Sequence, residues 1–118
     1  DMRRKIRIDA PLGFAEITPE FLRDLALLGP FGVENPRPVF LAEGAELIGR
    51  PRKLKASHAQ FDVRHQGSMR RAIGWAKGEW SEKYGPGDRV DLVFTLQTST
   101  YLGREETSLS LEDMRRPA

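Results

Sequence analysis

Between Arg50 and Arg71 the chain places seven basic side chains, Arg50, Arg52, Lys53, Lys55, Arg64, Arg70 and Arg71, against a single acid, Asp62. That segment carries +6 and leaves −4 for the rest of a 118-residue chain whose net charge is only +2. A local field of that sign and density is the electrostatic footprint of a phosphate backbone, although a solvated basic face without a ligand reads the same way. His58 lies in the same stretch and adds a ring with two polar nitrogens. Further on, Tyr101 and Arg104 flank Leu102-Gly103, which puts an aromatic ring and a guanidinium on a turn. A ring so placed can stack an unpaired base, worth about 1–3 kcal/mol, or pack on its own hairpin.

Catalytic chemistry cannot be assembled from the remaining residues. Two histidines and no cysteines do not make a zinc site of the usual ligand spacing, and His58 and His65 sit seven residues apart at opposite ends of one strand-like stretch. Glu105, Glu106, Glu112 and Asp113 read as the solvated side of an edge strand. Ser99, Ser108 and Ser110 have no His or Lys placed to activate them. Gly85-Pro86-Gly87 lacks the Lys and the following helix of a phosphate loop. We therefore expect no catalytic residue, no metal ligand and no cofactor in this chain. The absence of Cys is compatible with a reducing cytoplasm. No apolar run approaches the length that crosses a bilayer, and no basic-then-apolar leader is apparent. The abrupt opening at Asp1-Met2-Arg3-Arg4 suggests a piece of something larger.

The elements that must position the basic residues are mainly β. Lys5 to Asp9 alternates charged and apolar residues and predicts a short strand. Thr18-Pro19-Glu20 reads as a helix N-cap, a first-turn proline and a first-turn acid, followed by Phe21, Leu22, Leu25 and Leu28 at helical spacing until Gly29-Pro30. Gly29 to Pro38 contains three prolines and two glycines, a rigid non-helical connector. From Val39 the pattern is strands. The first, Val39 to Lys53, is long, bent and bulged, with Gly44 and Gly49 interrupting it, and Arg50 to Lys55 is placed on the first hairpin loop. Ala59–His65 and Met69–Ala76 flank the turn Gln66-Gly67-Ser68. In the second of these, Ile73 and Trp75 share a face and Arg70, Ala72 and Gly74 the other. That assignment makes Trp75 a core residue and leaves room for a ligand over Ala72 and Gly74. Trp80 belongs to a crossover, packed or exposed. Val90, Leu92, Phe94 and Leu96 alternate inward on the fourth strand, and Leu109 and Leu111 on the fifth.

Five short strands with turn signals fit an SH3-like barrel as well, but three strands, a crossover and a two-strand hairpin is the order of an OB-fold, and the crossover favours that reading. The expected architecture is thus a five-stranded OB barrel over 39–116, preceded over 1–38 by a short strand, an amphipathic helix and the connector. Such barrels track single strands across their second and third strands, between the first and last hairpin loops. That expectation gives a candidate site of Arg50, Arg52, Lys53, Lys55, His58, Arg64, Arg70, Arg71, Tyr101 and Arg104.

The run Leu25 to Phe40, LALLGPFGVENPRPVF, resembles the segment that introduces the C-terminal OB-fold domain of RecJ-type single-stranded-DNA-specific exonucleases, which are DHH-type phosphoesterases. Weaker echoes are RRAIGWA (70–76), GPGDRVDLVFTL (85–96) and YLGREETSLSLEDMR (101–115). The resemblance implies a module that grips single-stranded DNA for a 5′–3′ exonuclease of recombination and repair. A separate catalytic core would then hold manganese or magnesium on Asp and His residues. Neither an Asp-His-His triplet nor a Gly-Gly-His motif occurs here. The implied partners are single-stranded DNA, the catalytic core of the same polypeptide and a single-strand binding protein. The alternative role is a protein-docking or bracing module.

Overall fold

Val90, Leu92, Phe94 and Leu96 are all buried, and the strand that carries them is the spine of the molecule. The computed structural model describes residues 7–55 and 57–117, and of Tyr101 the backbone alone. Its strands are β1 (Ala10–Pro11), β2 (Phe40–Leu54), β3 (His58–His65), β4 (Ser68–Gly74), β5 (Arg89–Tyr101) and β6 (Arg104–Arg115). A 3-10 turn at Phe14–Glu16 and helices α1 (Pro19–Ala26) and α2 (Trp80–Lys83) complete it. β5 pairs antiparallel with β6 along its whole length and with the first half of β2, from Phe40↔Phe94 to Glu46↔Arg89. The second half of β2 pairs with β3, β3 with β4, and β4 runs parallel to β6 at Ala72↔Leu109 and Ile73↔Ser110. The sheet closes through β2–β5, which gives the five-stranded OB barrel expected from the element order.

One strand can serve two partners only if it bends, and β2 bends at two glycines. Its register shifts between Ala42 and Ala45, and again between Ile48 and Arg52. Gly44 and Gly49 lie inside those shifts at φ +71° and +69°, a backbone region that glycine enters without a Cβ clash. The β3–β4 turn uses Gln66 and Gly67, both at positive φ, which matches the right-handed twist of the flanking strands.

The N-terminal residues belong to the same core. Leu12, Phe14 and Ile17 are buried with the barrel residues, and Phe14 meets Phe94 edge-on at 6.2 Å. Thr18 Oγ1 accepts from the backbone N–H of Phe21 at 3.1 Å, with Pro19 in the first turn, as the sequence predicts. Phe21, Leu22 and Leu25 pack against the core, whereas the helix stops at Ala26 and leaves Leu28 exposed. The connector is irregular and tied across itself. The Asn35 side-chain amide donates to Leu28 O at 2.8 Å and Pro30 O at 2.9 Å. No helix among the described residues is long and apolar enough to cross a membrane.

Three expectations are corrected. The short strand lies at Ala10–Pro11, where parallel pairing with β2 begins, and residues 7–9 of the expected strand are irregular. Asp9 itself exchanges bonds with Val39: its N–H donates to Val39 O at 2.7 Å and its carboxylate accepts from Val39 N–H at 2.8 Å. Lys5 and Ile6 lie outside the described residues. The long first strand runs close to its expected extent, to Leu54, so the basic residues placed on the first loop stand in the strand up to Lys53, and Arg52↔Gln60, Lys53↔Ala59 and Leu54↔His58 continue the β2–β3 ladder. Finally, β4 ends at Gly74, and its faces are the reverse of those predicted. Ala72 is fully buried, while Trp75 lies beyond the strand and is 51% exposed.

Candidate nucleic-acid interface

Alternation along a strand assigns each side chain to the interior or the outer face of the barrel. On β3, Ala59, Phe61 and Val63 are buried, so Gln60, Asp62 and Arg64 face out. On β4, Ala72 and Gly74 face in, so Met69, Arg71 and Ile73 face out. The registers then set rows across the outer face. Arg52 stands beside Gln60, Gln60 beside Ile73, Ile73 beside Ser110, and Ser110 beside Thr95. A second row runs Ile48–Asp62–Arg71 and a third Glu46–Arg64–Met69.

At the β4 end of this face stands Trp75. The His58 ring meets it edge-on, with centroids 5.0 Å apart and planes at 70°. The same imidazole accepts the backbone N–H of Ala76 at its Nδ1, at 2.8 Å. One histidine therefore braces both the indole and the backbone corner that follows it. Ala76 takes φ +59° at that corner, which turns the chain off the strand and leaves Trp75 standing out from the barrel. Gly74 does not make room for a ligand. A Cβ built there would sit 3.0 Å from Trp80 Cε3, so its missing side chain lets Trp80 close the barrel.

The ten candidate residues do not all converge. Arg52 and His58 lie on the outer face near Trp75, and Lys55, at φ +51°, occupies the adjoining turn. Arg50 is exposed just past the Gly49 bulge. Among the described residues, Arg50, Arg52, Lys55 and Arg104 form no ion pair. Arg64 pairs with Glu46 at 3.0 Å and Arg71 with Glu106 at 3.1 Å, both pairs remaining open to solvent. Exposed pairs of this kind contribute about 0–1 kcal/mol, so a phosphate can compete for either guanidinium. Arg104 is exposed beyond the Leu102-Gly103 turn, on the hairpin that the Arg71–Glu106 contact ties back to β4. Two candidates point elsewhere. Lys53 shares the side of Ala59 and reaches Glu82 on α2 at 3.0 Å. Arg70 shares the side of Ala72, and its guanidinium donates to Ile17 O at 2.9 Å and Thr107 O at 3.2 Å. The Tyr101 side chain lies outside what the structure describes.

The residue that sequence reasoning missed is Trp75. Arginine parity gave no signal, because Arg70 and Arg71 put one guanidinium on each side of β4; the available signal was the small size of Ala72 and Gly74, which suits the crowded interior of a small barrel. Among the described residues no three His, Asp or Glu side chains come together to hold a metal ion, so the donor set does not fit a divalent cation.

The family described as the RecJ OB domain matches residues 8–113. The chain is 31% identical over 108 residues to the single-stranded-DNA-specific exonuclease RecJ of Bacillus subtilis, covering 90% of this chain and 14% of that protein. It is 28% identical over 101 residues to the RecJ of Thermus thermophilus, covering 86% of this chain and again 14% of the relative. The chain thus spans about one-seventh of the curated relatives it matches. The crystal structure of RecJ in complex with Mn2+ from Thermus thermophilus superimposes with a TM-score of 0.70 at 28% identity, over 98% of this chain and 16% of that one. The SSB domain of a Synechococcus protein shares the fold, with a TM-score of 0.55 at 16% identity over 66% of this chain and 93% of that one. By sequence and by fold, the chain belongs to the RecJ OB-domain family.

Proposed function

We propose that this domain is the single-stranded-DNA grip of a RecJ-like 5′–3′ exonuclease of recombination and repair. Hydrolysis and its manganese or magnesium would belong to a catalytic core elsewhere in the polypeptide. One observation carries the reading: the outer face of β2, β3 and β4 joins the exposed, braced Trp75 to one guanidinium from each strand, Arg52, Arg64 and Arg71. A ring of that kind stacks any base, and the guanidiniums follow the phosphates, so the surface binds single strands with little regard to sequence. Arg50 and Lys55 extend the field beside it.

The test is titration of the 118-residue chain with an oligothymidylate, read by intrinsic fluorescence. Trp75 and Trp80 are the two tryptophans, and stacking on Trp75 quenches it. For single strands the log–log salt slope is about −0.7 per phosphate neutralised, so three to five contacts give roughly −2 to −3.5. Loss of the quench in Trp75→Leu, with the signal retained in Trp80→Phe, is the expected result. An affinity that does not change with salt would refute the electrostatic face.

A bracing role has one observation in its favour. The apolar stripe of α1 is spent on the domain's own core, but Leu27 at 82% and Val33 at 101% exposure stay in water. Those residues suit a contact with the remaining polypeptide and do not compete with the basic face. Docking of a single-strand binding protein would have to share that face.

A further inference from the structure

We propose that a bound strand does not end on β3 and β4 but crosses β6 and β5 into a second nucleotide site, the cleft between that sheet face and the connector. The proposal rests on reading the outer face as the DNA surface, and it adds a site and a direction to it. The cleft measures about 770 Å³, within the range of about 300–1,000 Å³ that holds small organic ligands. Its floor is the outer face of β5 and β6, with Thr95, Gln97, Ser110 and Glu112. The connector borders it with Phe31 and Arg37, and the β4–α2 link brings Lys77 to it from the β4 side.

Continuity with the first site follows from the register. Ile73 neighbours Ser110, Ser110 neighbours Thr95, and Lys77 lies two residues beyond Trp75. From the second half of β2 the path over β3, β4 and β6 to β5 takes four interstrand steps of about 4.8 Å, twice the width of β2–β4 alone. The connector side is preformed. The Asn35 amide fixes the connector's backbone, Arg37 stacks over the Phe31 ring at 5.2 Å, and Arg37 Nη1 donates to Leu96 O at 3.4 Å.

The chemistry of the cleft suits a nucleotide. Thr95 and Ser110 hydroxyls and the Gln97 amide offer donors and acceptors to a base edge. Arg7 and Arg115 are paired with Asp9 and Asp113, at 3.2 and 2.7 Å. Lys77, over the Trp80 ring at 5.7 Å, and Arg37 have no carboxylate partner among the described residues and are left for phosphates. Glu112 accepts from a base N–H, the N3–H of a thymine included, and keeps a phosphate off that part of the floor.

The experiment measures affinity against oligothymidylate length, from about 4 to about 16 nucleotides, for the chain, Lys77→Glu and Arg37→Gln. Affinity of the parent is expected to rise past the length at which both variants level off, with the shortest oligonucleotides binding all three alike. For the longest, each variant should lose about 0.7 from the log–log salt slope, one phosphate contact. In the parent chain, a long oligonucleotide should protect Lys77 from acetylation and a short one should not. Variants that weaken every length equally, or none, overturn the cleft and leave the β3–β4 surface standing. Protection of Lys77 by oligoglutamate but not by DNA overturns it in favour of a peptide ligand. No binding by the parent at any length removes both sites.

Discussion

Arg70 and Arg52 look equivalent in a charge count and should behave oppositely. The Arg70 guanidinium, half-buried, closes the gap between the 3-10 turn region and β6 by donating to Ile17 O and Thr107 O. Hydrogen bonds from a charged donor contribute roughly 1.5–3 kcal/mol each when well shielded. Partial exposure lowers the pair to about 2–3 kcal/mol in total, and Arg70→Ala also leaves two carbonyls to find other partners. With an unfolding entropy of about 2.1 cal/mol/K per residue, a chain of this length loses about 8–12 °C of Tm. Arg52→Ala removes an exposed group that forms no ion pair among the described residues, so stability should hold within about 0.5 kcal/mol. Its DNA affinity should fall, with a salt slope shallower by about 0.7. Thermal unfolding followed by circular dichroism, with anisotropy titrations at three salt concentrations, reads both. If Arg70→Ala melts like the parent and loses DNA, Arg70 is a phosphate ligand and its two carbonyl contacts are incidental.

Trp75→Ala should cost about 1 kcal/mol or less, against about 3–5 kcal/mol for a tryptophan emptied from a core, as urea unfolding will show. Gly74→Ala should be the costlier change. Its Cβ would meet Trp80 at 3.0 and 3.2 Å and Lys77 Cβ at 3.1 Å, and overpacking of this kind costs about 1–3 kcal/mol. Lys53→Ala removes an exposed pair with Glu82 on the side away from Trp75, so stability should stay within about 0.5 kcal/mol and DNA affinity should not change. A loss of affinity there would mean that the strand runs on the α2 side of β2.

The barrel was legible because its signals are local and mutually consistent. Alternation of Val90, Leu92, Phe94 and Leu96, turn residues at Gln66-Gly67, and glycines at the bends of a long strand each follow from backbone sterics alone. The site was half legible. Charge density pointed to β2, β3 and β4, the strands of the proposed face, but density along the chain says nothing of which side of a ladder each residue takes. Arg52 and Lys53 are sequence neighbours and face opposite ways. The extent of β2 was legible from its bent, bulged pattern over Val39 to Lys53, but basic residues and a proline also read as a loop over Arg50 to Lys55, where the ladder with β3 continues because Gln60, Ala59 and His58 supply its partners.

The inverted face of β4 has a physical cause that reaches beyond this strand. Hydrophobicity placed Ile73 and Trp75 inside, but a small closed barrel is limited by volume before it is limited by polarity. Phe61 from β3, Phe94 from β5 and Phe14 from the N-terminal segment are each nearly or fully buried. With three phenylalanines in place and Trp80 packed against Gly74, β4 can contribute only Ala72 and Gly74 to the interior. Its large apolar residues, Met69 and Ile73, must then go outward, beside Arg71. The packing that fills the core with rings from other strands is therefore what delivers an indole to the outer face, where the His58 ring meets it edge-on.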